Sequence, residues 1–153
     1  MAFEIEHKYL VINDSYKKMA TGHVAIRQGY LNRNPDRTVR VRTLGQNGFL
    51  TVKSRNHGAK RLEFEYEIPY KDAEEILKLA EPGIVEKIRY IVPFEGLVWE
   101  VDEFLGSLSG VTVAEVELPD TDISYPKPPF IGKDITGNPA FYNSNLESGK
   151  FKC

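Results

Sequence analysis

The chain has 153 residues, of which 41% are hydrophobic, so it is long enough to bury a core as a single domain. Its 20 basic and 22 acidic residues give a formal net charge of −2, which provides no overall positive field to attract nucleic acid or acidic lipid. We therefore expect no nucleic-acid partner and no membrane partner. Any anion-binding site must be a local cluster of positive charge.

The only cysteine, Cys153, is the last residue, which excludes an intramolecular disulfide and is typical of a reducing compartment. The first residues lack the apolar segment of a signal peptide, and no apolar run approaches the length of a membrane span. These features predict a cytoplasmic protein. The absence of a long linker predicts one domain over residues 1–153.

Apolar and polar residues alternate in short blocks that are separated by Gly, Asn, Pro or Asp, as in antiparallel β-sheets. Asn47-Gly48 supplies the positive φ angles of a tight turn between the third and fourth blocks. The sequence therefore predicts a mainly β protein of the α+β class. The eight predicted strands, in chain order, are residues 3–11, 24–31, 38–44, 48–54, 61–68, 85–93, 97–104 and 112–118.

Two segments break this alternation and predict helices. A short helix is predicted from Asn13, as its N-cap, through Met19. A longer amphipathic helix is predicted over residues 71–80, because Pro82-Gly83 would end it and its apolar residues recur at helical spacing. Residues 119–139 are rich in Pro, Asp and Gly and predict an extended loop.

The polar face of almost every predicted strand carries charge of one sign. A solvated sheet usually mixes signs along each strand, because like charges two residues apart repel one another without gain. The opposite face carries aliphatic and aromatic residues, as a packing face does. The charged positions, from the first strand to the last, are Glu4, Glu6 and Lys8; Arg40 and Arg42; Lys53 and Arg55; Glu63, Glu65 and Glu67; Lys87 and Arg89; Glu100 and Asp102; Glu115 and Glu117.

The simpler alternative is an ordinary antiparallel sheet with a buried apolar face and a solvated charged face. The segregation of charge by strand argues against it, because basic strands can surround a polyanion. Arg can bind phosphate groups bidentately, while Lys contributes a point charge. The predicted phosphate ligands are Arg40, Arg42, Lys53, Lys87 and Arg89.

The acidic strands can hold the divalent cation that accompanies a polyphosphate, since Mg²⁺ and Mn²⁺ prefer carboxylate oxygens. If the sheet closes into a barrel, the first and last strands become neighbours, and their charges require a water-filled interior. The predicted metal ligands are Glu4, Glu6, Glu115 and Glu117. A secondary set of tunnel residues is expected to bind metal through water or to anchor basic side chains: Arg55, Glu63, Glu65, Glu100 and Asp102.

This ordered series, from Glu4-x-Glu6-x-Lys8 to Glu115-x-Glu117, resembles the CYTH, or triphosphate tunnel metalloenzyme, superfamily. Residues 134–139, with Tyr142, Asn143, Asn145 and Leu146 after them, resemble the C-terminal stretch of that family. The resemblance implies an eight-stranded antiparallel β-barrel tunnel with a few flanking helices. It also implies Mg²⁺ or Mn²⁺ as the cofactor and a small triphosphate as the substrate.

The compact length and the phrase Arg27-Gln28-Gly29-Tyr30-Leu31 are similar to the short bacterial inorganic triphosphatases. That subgroup implies metal-dependent hydrolysis of tripolyphosphate to pyrophosphate and phosphate, with Lys8 and Tyr30 matched to the pair that activates water. Family members often form homodimers, and an apolar outer face that two short helices cover incompletely favours the same assembly here.

Three other functions stay open at this point. A class IV adenylyl cyclase would use the ribose 3′-hydroxyl of ATP as the nucleophile, but no purine-binding motif is recognisable in the sequence. Another organic triphosphatase would hydrolyse thiamine triphosphate or a nucleoside triphosphate. A non-catalytic polyphosphate or nucleotide-binding module is disfavoured by the paired carboxylates, because anion binding alone gains little from them.

Overall fold

The computed structural model describes residues 3–120 and 123–138, which form an antiparallel β-barrel. Most strands lie within two residues of their predicted positions, because the alternation that defines them continues to the turns. The strands are β1 (Phe3–Val11), β2 (Gly22–Asn32), β3 (Arg37–Leu44), β4 (Asn47–Ser54), β5 (Lys60–Ile68), β6 (Val85–Phe94), β7 (Leu97–Phe104), β8 (Thr112–Glu117) and β9 (Ile131–Asp134).

The strand order is β5-β4-β3-β2-β6-β7-β8-β1, and β1 pairs with β5 to close the ring. The closing ladder is short: its Cα partners are Phe3 with Leu62, Glu4 with Arg61, and Ile5 with Lys60. This arrangement confirms the predicted eight-stranded barrel. Every neighbouring pair is antiparallel, so inward and outward residues alternate around the whole wall.

The ninth strand lies in the segment that the sequence predicts as a loop. β9 pairs with the second half of β1, where Tyr9 faces Asp134 and Val11 faces Ile131. That half of β1 extends beyond its pairing with β5, so its backbone groups are available for another strand. Gly132 permits the approach, because a Cβ atom there would collide with the side chain of Ile12.

The helices are shorter than predicted. α1 spans Tyr16–Met19, and Ser15, not Asn13, is its N-cap residue. The Asn13 side chain instead accepts hydrogen bonds from the backbone N and Oγ of Ser15, at 3.0 and 2.7 Å. α2 spans Tyr70–Leu77, three residues short of the predicted end. In the described part of the chain, no helix has the length and apolar character of a membrane span.

Three apolar clusters stabilise the barrel. One lies outside β1, β6, β7 and β8 around Trp99 and is covered by α1 and Phe130. Another joins α2 to the outer face of β3 through Val41, Ala73 and Leu77. The third fills one end of the barrel, and its strand residues Val85, Phe104 and Val113 share the inward parity of the charged residues. Its other buried members, Leu108, Val111 and Ile135, lie outside the strands.

Candidate active site

A cavity of about 460 Å³ opens inside the barrel and brings together most of the predicted site residues. Alternation along each strand directs these side chains inward, while the intervening residues pack against the outer clusters. The predicted residues that line it are Glu4, Glu6, Lys8, Tyr30, Arg40, Arg42, Lys53, Arg55, Glu63, Glu65, Arg89, Glu100, Glu115 and Glu117. The C-terminal motif positions from Pro139 to Leu146 lie outside the described residues.

The strand order divides the cavity wall into two halves of opposite charge. Strands β7, β8, β1 and β5 are contiguous, and we call their inward carboxylates the acidic half. Strands β6, β2, β3 and β4 are also contiguous and form the basic half. The carboxylates that line the acidic half are Glu100, Glu115, Glu117, Glu4, Glu6, Glu63 and Glu65, and the basic side chains on the strands of the basic half that line the cavity are Arg89, Arg40, Arg42 and Lys53.

The centre of the acidic half is the pairing of β1 with β8. Glu6 lies opposite Glu117, and Lys8 lies opposite Glu115. Burial, together with the carboxylate and hydrogen bond of Glu115, raises the pKa of Glu6 well above its ordinary value. Burial alone would also raise the pKa of Glu115, but Lys8, the Glu6 hydrogen bond and Arg89 hold it well below the ordinary value. The charged form is therefore favoured at Glu115 and disfavoured at Glu6.

Glu4 is buried and is held by two cations. Lys53 Nζ donates to both Glu4 oxygens at 3.1 Å, and Arg61 Nε donates to Oε1 at 3.3 Å. Burial opposes ionisation of Glu4, but Lys53 and Arg61 lower its pKa below the ordinary value. Glu4 is thus an ionised carboxylate inside the barrel.

Lys8 is the predicted proton acceptor, and its ammonium lies 3.8 Å from Glu115 Oε2. Burial alone would lower the pKa of Lys8, but the carboxylates of Glu115 and Glu6 raise it. Lys8 therefore keeps its proton while these two carboxylates face it.

Tyr30, the predicted partner of Lys8, is 6% exposed and lines the same cavity. The Arg33 guanidinium lies 5.4 Å from the centre of the Tyr30 ring. Arg33 is itself anchored to the loop after α2, where it donates to the carbonyl oxygens of Pro82 at 2.7 Å and Gly83 at 3.1 Å. The position of Tyr30 therefore depends on the packing of this loop as well as on β2.

Ion pairs join the two halves where they meet. At the β4–β5 boundary, Glu65 Oε2 lies 3.5 Å from Arg40 and 3.2 Å from Arg42, each through Nη2. Lys53 similarly lies 3.3 Å from Glu63. These contacts neutralise a wall that would otherwise carry many buried charges without partners.

Two predicted site residues, Lys87 and Asp102, lie behind the cavity wall and do not line it. Lys87 is fully buried, with Nζ 2.7 Å from Asp102 Oδ2, and burial lowers its pKa to about 8 although Asp102 opposes this shift. Asp102 also accepts two hydrogen bonds from Arg89, at 2.8 and 2.9 Å. Asp102 therefore fixes the position of the Arg89 side chain. Lys87 contacts Asp102 and does not reach the cavity.

The cavity includes residues that the sequence analysis did not select. Thr38 and Thr51 share the inward parity of Arg40 and Lys53, and Arg61 shares that of Glu63, so strand alternation could have identified them. Arg33, Pro35, Asn56 and Gly137 lie outside the regular strands, where alternation gives no signal; all four line the cavity.

The acidic half can hold a divalent cation whose remaining ligands are water molecules and phosphate oxygens. Glu6 and Glu115 are close enough to share a hydrogen bond, and a cation placed between such carboxylates would relieve their repulsion. Among residues 3–120 and 123–138, no group of three or more His, Cys, Asp or Glu side chains is arranged as a complete metal cluster. The chemistry suits Mg²⁺ or Mn²⁺ bound by one or two carboxylates, water and phosphate oxygens.

Comparison with known proteins gives relatives over nearly the whole chain. An inorganic triphosphatase of Acetivibrio thermocellus is 49% identical over 153 residues, which cover 99% of this chain and 97% of the relative. An inorganic triphosphatase of Nitrosomonas europaea is 33% identical over 147 residues, which cover 94% and 95% of the two chains.

Solved structures share the same fold. The crystal structure of the inorganic triphosphatase NE1496 superposes with a TM-score of 0.66 at 32% identity and covers 95% of each chain. A putative adenylyl cyclase from Hippeastrum has a TM-score of 0.61 at 16% identity, with coverage of 76% and 80%, which is a likeness of fold alone. The family model described as the CYTH domain matches residues 2–138. The chain belongs to the CYTH family.

Proposed function

We propose that this protein hydrolyses inorganic tripolyphosphate to pyrophosphate and phosphate, with a divalent cation, inside the charged cavity. The observation that carries this proposal is the division of one cavity wall into an acidic half and a basic half. A metal polyphosphate complex has the same two parts, since its phosphates are anionic and its metal is cationic. The two relatives named inorganic triphosphatase support the choice of substrate.

The basic half positions the phosphate chain. Arg40 and Arg89 are 7% and 8% exposed and line the cavity, so their guanidinium groups are held by packing and ion pairs before a substrate arrives. Fixed cations of this kind stabilise the negative charge that develops on the leaving pyrophosphate, without reorganising during the reaction. Arg42 and Lys53 extend the same surface.

The acidic half receives the cation. Glu6 and Glu115 are the best placed ligands, and Glu4 and Glu117 lie beside them on the same two strands. A bound Mg²⁺ or Mn²⁺ supplies charge neutralisation and Lewis-acid polarisation of phosphate oxygens. This half of the wall otherwise holds carboxylates whose mutual repulsion favours a proton or a cation between them.

Lys8 and Tyr30 are assigned to the attacking water. Lys8 Nζ keeps its proton while Glu6 and Glu115 face it, so Lys8 would accept a proton from the attacking water only after these carboxylates are engaged elsewhere and Lys8 has released its own proton to solvent. The Tyr30 hydroxyl, on the opposite half of the wall, would hold the water in line with the terminal phosphorus. Substrate binding and proton acceptance are therefore coupled through the same carboxylates.

The test is phosphate release from tripolyphosphate, ATP and thiamine triphosphate, each with Mg²⁺ or Mn²⁺. We expect strong preference for tripolyphosphate and no turnover in EDTA. Cyclic AMP formed from ATP would instead identify a cyclase. Tripolyphosphate binding without hydrolysis under either metal would identify a binding module and refute the enzyme assignment.

We also propose a homodimer of single-domain subunits, located in the cytoplasm. The outer face of the barrel near the β1–β5 closure retains exposed apolar side chains that neither helix covers: Phe3, Leu62, Phe64 and Tyr66. A contiguous apolar patch of this kind is typical of an interface between subunits.

A further inference from the structure

Arg61 occupies a distinctive place in the barrel. It lies on β5 at the three-residue ladder that closes the ring, directly opposite Glu4. Its side chain is 17% exposed, faces inward and lines the cavity. Its contact with Glu4 Oε1, at 3.3 Å, is therefore made on the inner surface of the barrel and not on the outside.

Arg61 also differs in charge from most of the residues around it on the cavity wall. On the four strands of the acidic half, only Lys8 and Arg61 are basic among the described residues that line the cavity. An anionic ligand that reached this half of the wall would therefore meet both cations.

The Glu4 carboxylate has two cationic partners on the same side. Lys53 already contacts both of its oxygens at 3.1 Å, so Glu4 does not need Arg61 for neutralisation. A guanidinium group also has a fork of donors that matches phosphate oxygens as well as carboxylate oxygens. Arg61 can therefore exchange Glu4 for a phosphate group without leaving the cavity wall.

We propose that Arg61 is an additional phosphate-binding residue, held on Glu4 until a divalent cation takes that carboxylate. The exchange makes metal binding and polyphosphate binding mutually favourable: engagement of Glu4 by the cation releases Arg61, and engagement of Arg61 by phosphate removes one of the two cations that compete for Glu4. This inference rests on the proposed triphosphate function and adds a residue and a coupling to it.

The alternative is that Arg61 only stabilises the pairing of β1 with β5 that closes the barrel. The outward neighbour Lys60 provides the matched control, because it lies on the same closing ladder opposite Ile5. Its ammonium packs 4.3 Å from the centre of the Phe3 ring, outside the cavity. Loss of Lys60 tests the ladder without changing the charge of the cavity wall.

The experiment measures two dissociation constants for the wild type and for Arg61→Ala, Arg61→Lys and Lys60→Ala. Tripolyphosphate binding is measured by calorimetry in EDTA, and Mn²⁺ binding to the phosphate-free protein by electron paramagnetic resonance. We expect Arg61→Ala to weaken tripolyphosphate binding about tenfold or more, since a charge-assisted contact is lost. Mn²⁺ should bind the same variant several-fold more tightly, because a competitor for Glu4 is gone.

Arg61→Lys should fall between the wild type and Arg61→Ala, and Lys60→Ala should match the wild type in both measurements. Weaker binding of both ligands by Arg61→Ala would show a purely structural role and overturn the proposal, as would unchanged tripolyphosphate binding. If the wild type fails to bind tripolyphosphate in EDTA and also releases no phosphate from it with Mg²⁺ or Mn²⁺, the proposed function fails as well. Wild-type binding that is indifferent to Arg61 refutes the Arg61 proposal alone.

Discussion

Individual carboxyl groups in and behind the cavity wall differ in how readily they ionise in the folded protein. Glu4, Glu115 and Asp102 have lowered pKa values, because nearby cations outweigh the burial that opposes ionisation. Glu6 has a raised pKa, because burial and Glu115 both disfavour its charge. Glu6, a predicted metal ligand, therefore lowers the stability of the folded protein at neutral pH, because its carboxyl group ionises less readily there than in the unfolded chain.

The first prediction concerns pH and stability. Between the ordinary value of 4.5 and its raised pKa, folded Glu6 holds a proton that the unfolded chain has lost, so stability falls as pH rises through that window. Without metal, the melting temperature should therefore rise on mild acidification from pH 7. It should fall again at lower pH, where the unfolded chain binds the protons that Glu4, Glu115 and Asp102 resist.

Glu6→Gln isolates this effect, because the amide is neutral in the folded protein without taking up a proton. It should raise the melting temperature at pH 7 by a few degrees, flatten the rise in mild acid and abolish phosphate release. Glu86→Gln, on the exposed outer side of β6, serves as the control and should change neither property. A Glu6→Gln protein that melts below the wild type at pH 7 would contradict the assignment.

The second prediction concerns the basic half. Arg40→Ala should lower kcat/KM for tripolyphosphate about 100-fold or more, as expected for loss of a fixed donor to developing charge. Arg27→Ala removes the same type of side chain from the exposed face of β2 and should change kcat/KM by no more than roughly twofold. Steady-state phosphate release measures both, and similar losses in the two variants would exclude a specific role for Arg40.

Sequence alternation identifies which residues face inward, but not how deep each one lies. Lys87 and Arg89 have the same parity, yet only Arg89 reaches the cavity. Their difference arises from strand tilt and from the apolar cluster that fills one end of the barrel, which the pattern along a single strand does not contain. Arg61 has the correct parity as well, and its role depends on the β1–β5 closure.

At the level of elements, β2 carries Tyr30 and is fixed from outside by α2. A Cβ atom at Gly29 would lie 2.7 Å from Ile84 Cδ1 and 2.9 Å from Ala80 Cβ. This close approach sets the distance between β2 and the segment after α2. The same segment anchors Arg33 against Tyr30, so packing outside the barrel reaches the cavity through β2.

The third prediction tests that contact. Gly29→Ala should lower the free energy of unfolding by about 1–3 kcal/mol, because the added methyl group overpacks the interface. Gly22→Ala, on the same strand with no atom of the described residues within 4 Å of the new Cβ, should change it by about 0.5 kcal/mol or less. Urea unfolding measures both; equal effects would mean that β2 and α2 are not packed this closely.

The sequence predicts the strands that local pattern determines, but not the strand that depends on pairing with a distant segment. The eight barrel strands follow from alternation and turn residues. β9 was not predicted, because the Pro-rich sequence around it is typical of a loop. It forms a strand only because the second half of β1 offers an edge with which it can pair. The early end of α2 at Leu77 reflects a last turn that tightens, in which Leu79 N donates to Ile76 O at 2.9 Å.

For the whole molecule, the fourth prediction concerns assembly. Light scattering should give a mass of about twice 17.4 kDa for the wild type. Phe64→Lys, in the exposed apolar patch, should shift the mass toward the monomer because it places a charge in the interface. Val98→Lys changes an exposed apolar residue on β7 instead and should leave the mass unchanged. A wild-type monomer at micromolar concentration would refute the dimer.

The central claim is that the barrel hydrolyses a phosphate chain inside its cavity, where the acidic half of the wall binds the cation and the basic half binds the phosphates. Phosphorus NMR of tripolyphosphate tests this most directly, with the wild type, Arg40→Ala and Arg27→Ala in Mg²⁺ or Mn²⁺. We predict that the wild type and Arg27→Ala convert each tripolyphosphate into one pyrophosphate and one phosphate, while Arg40→Ala does so about 100-fold more slowly or not at all. Undiminished tripolyphosphate signals with the wild type in both metals would contradict the account.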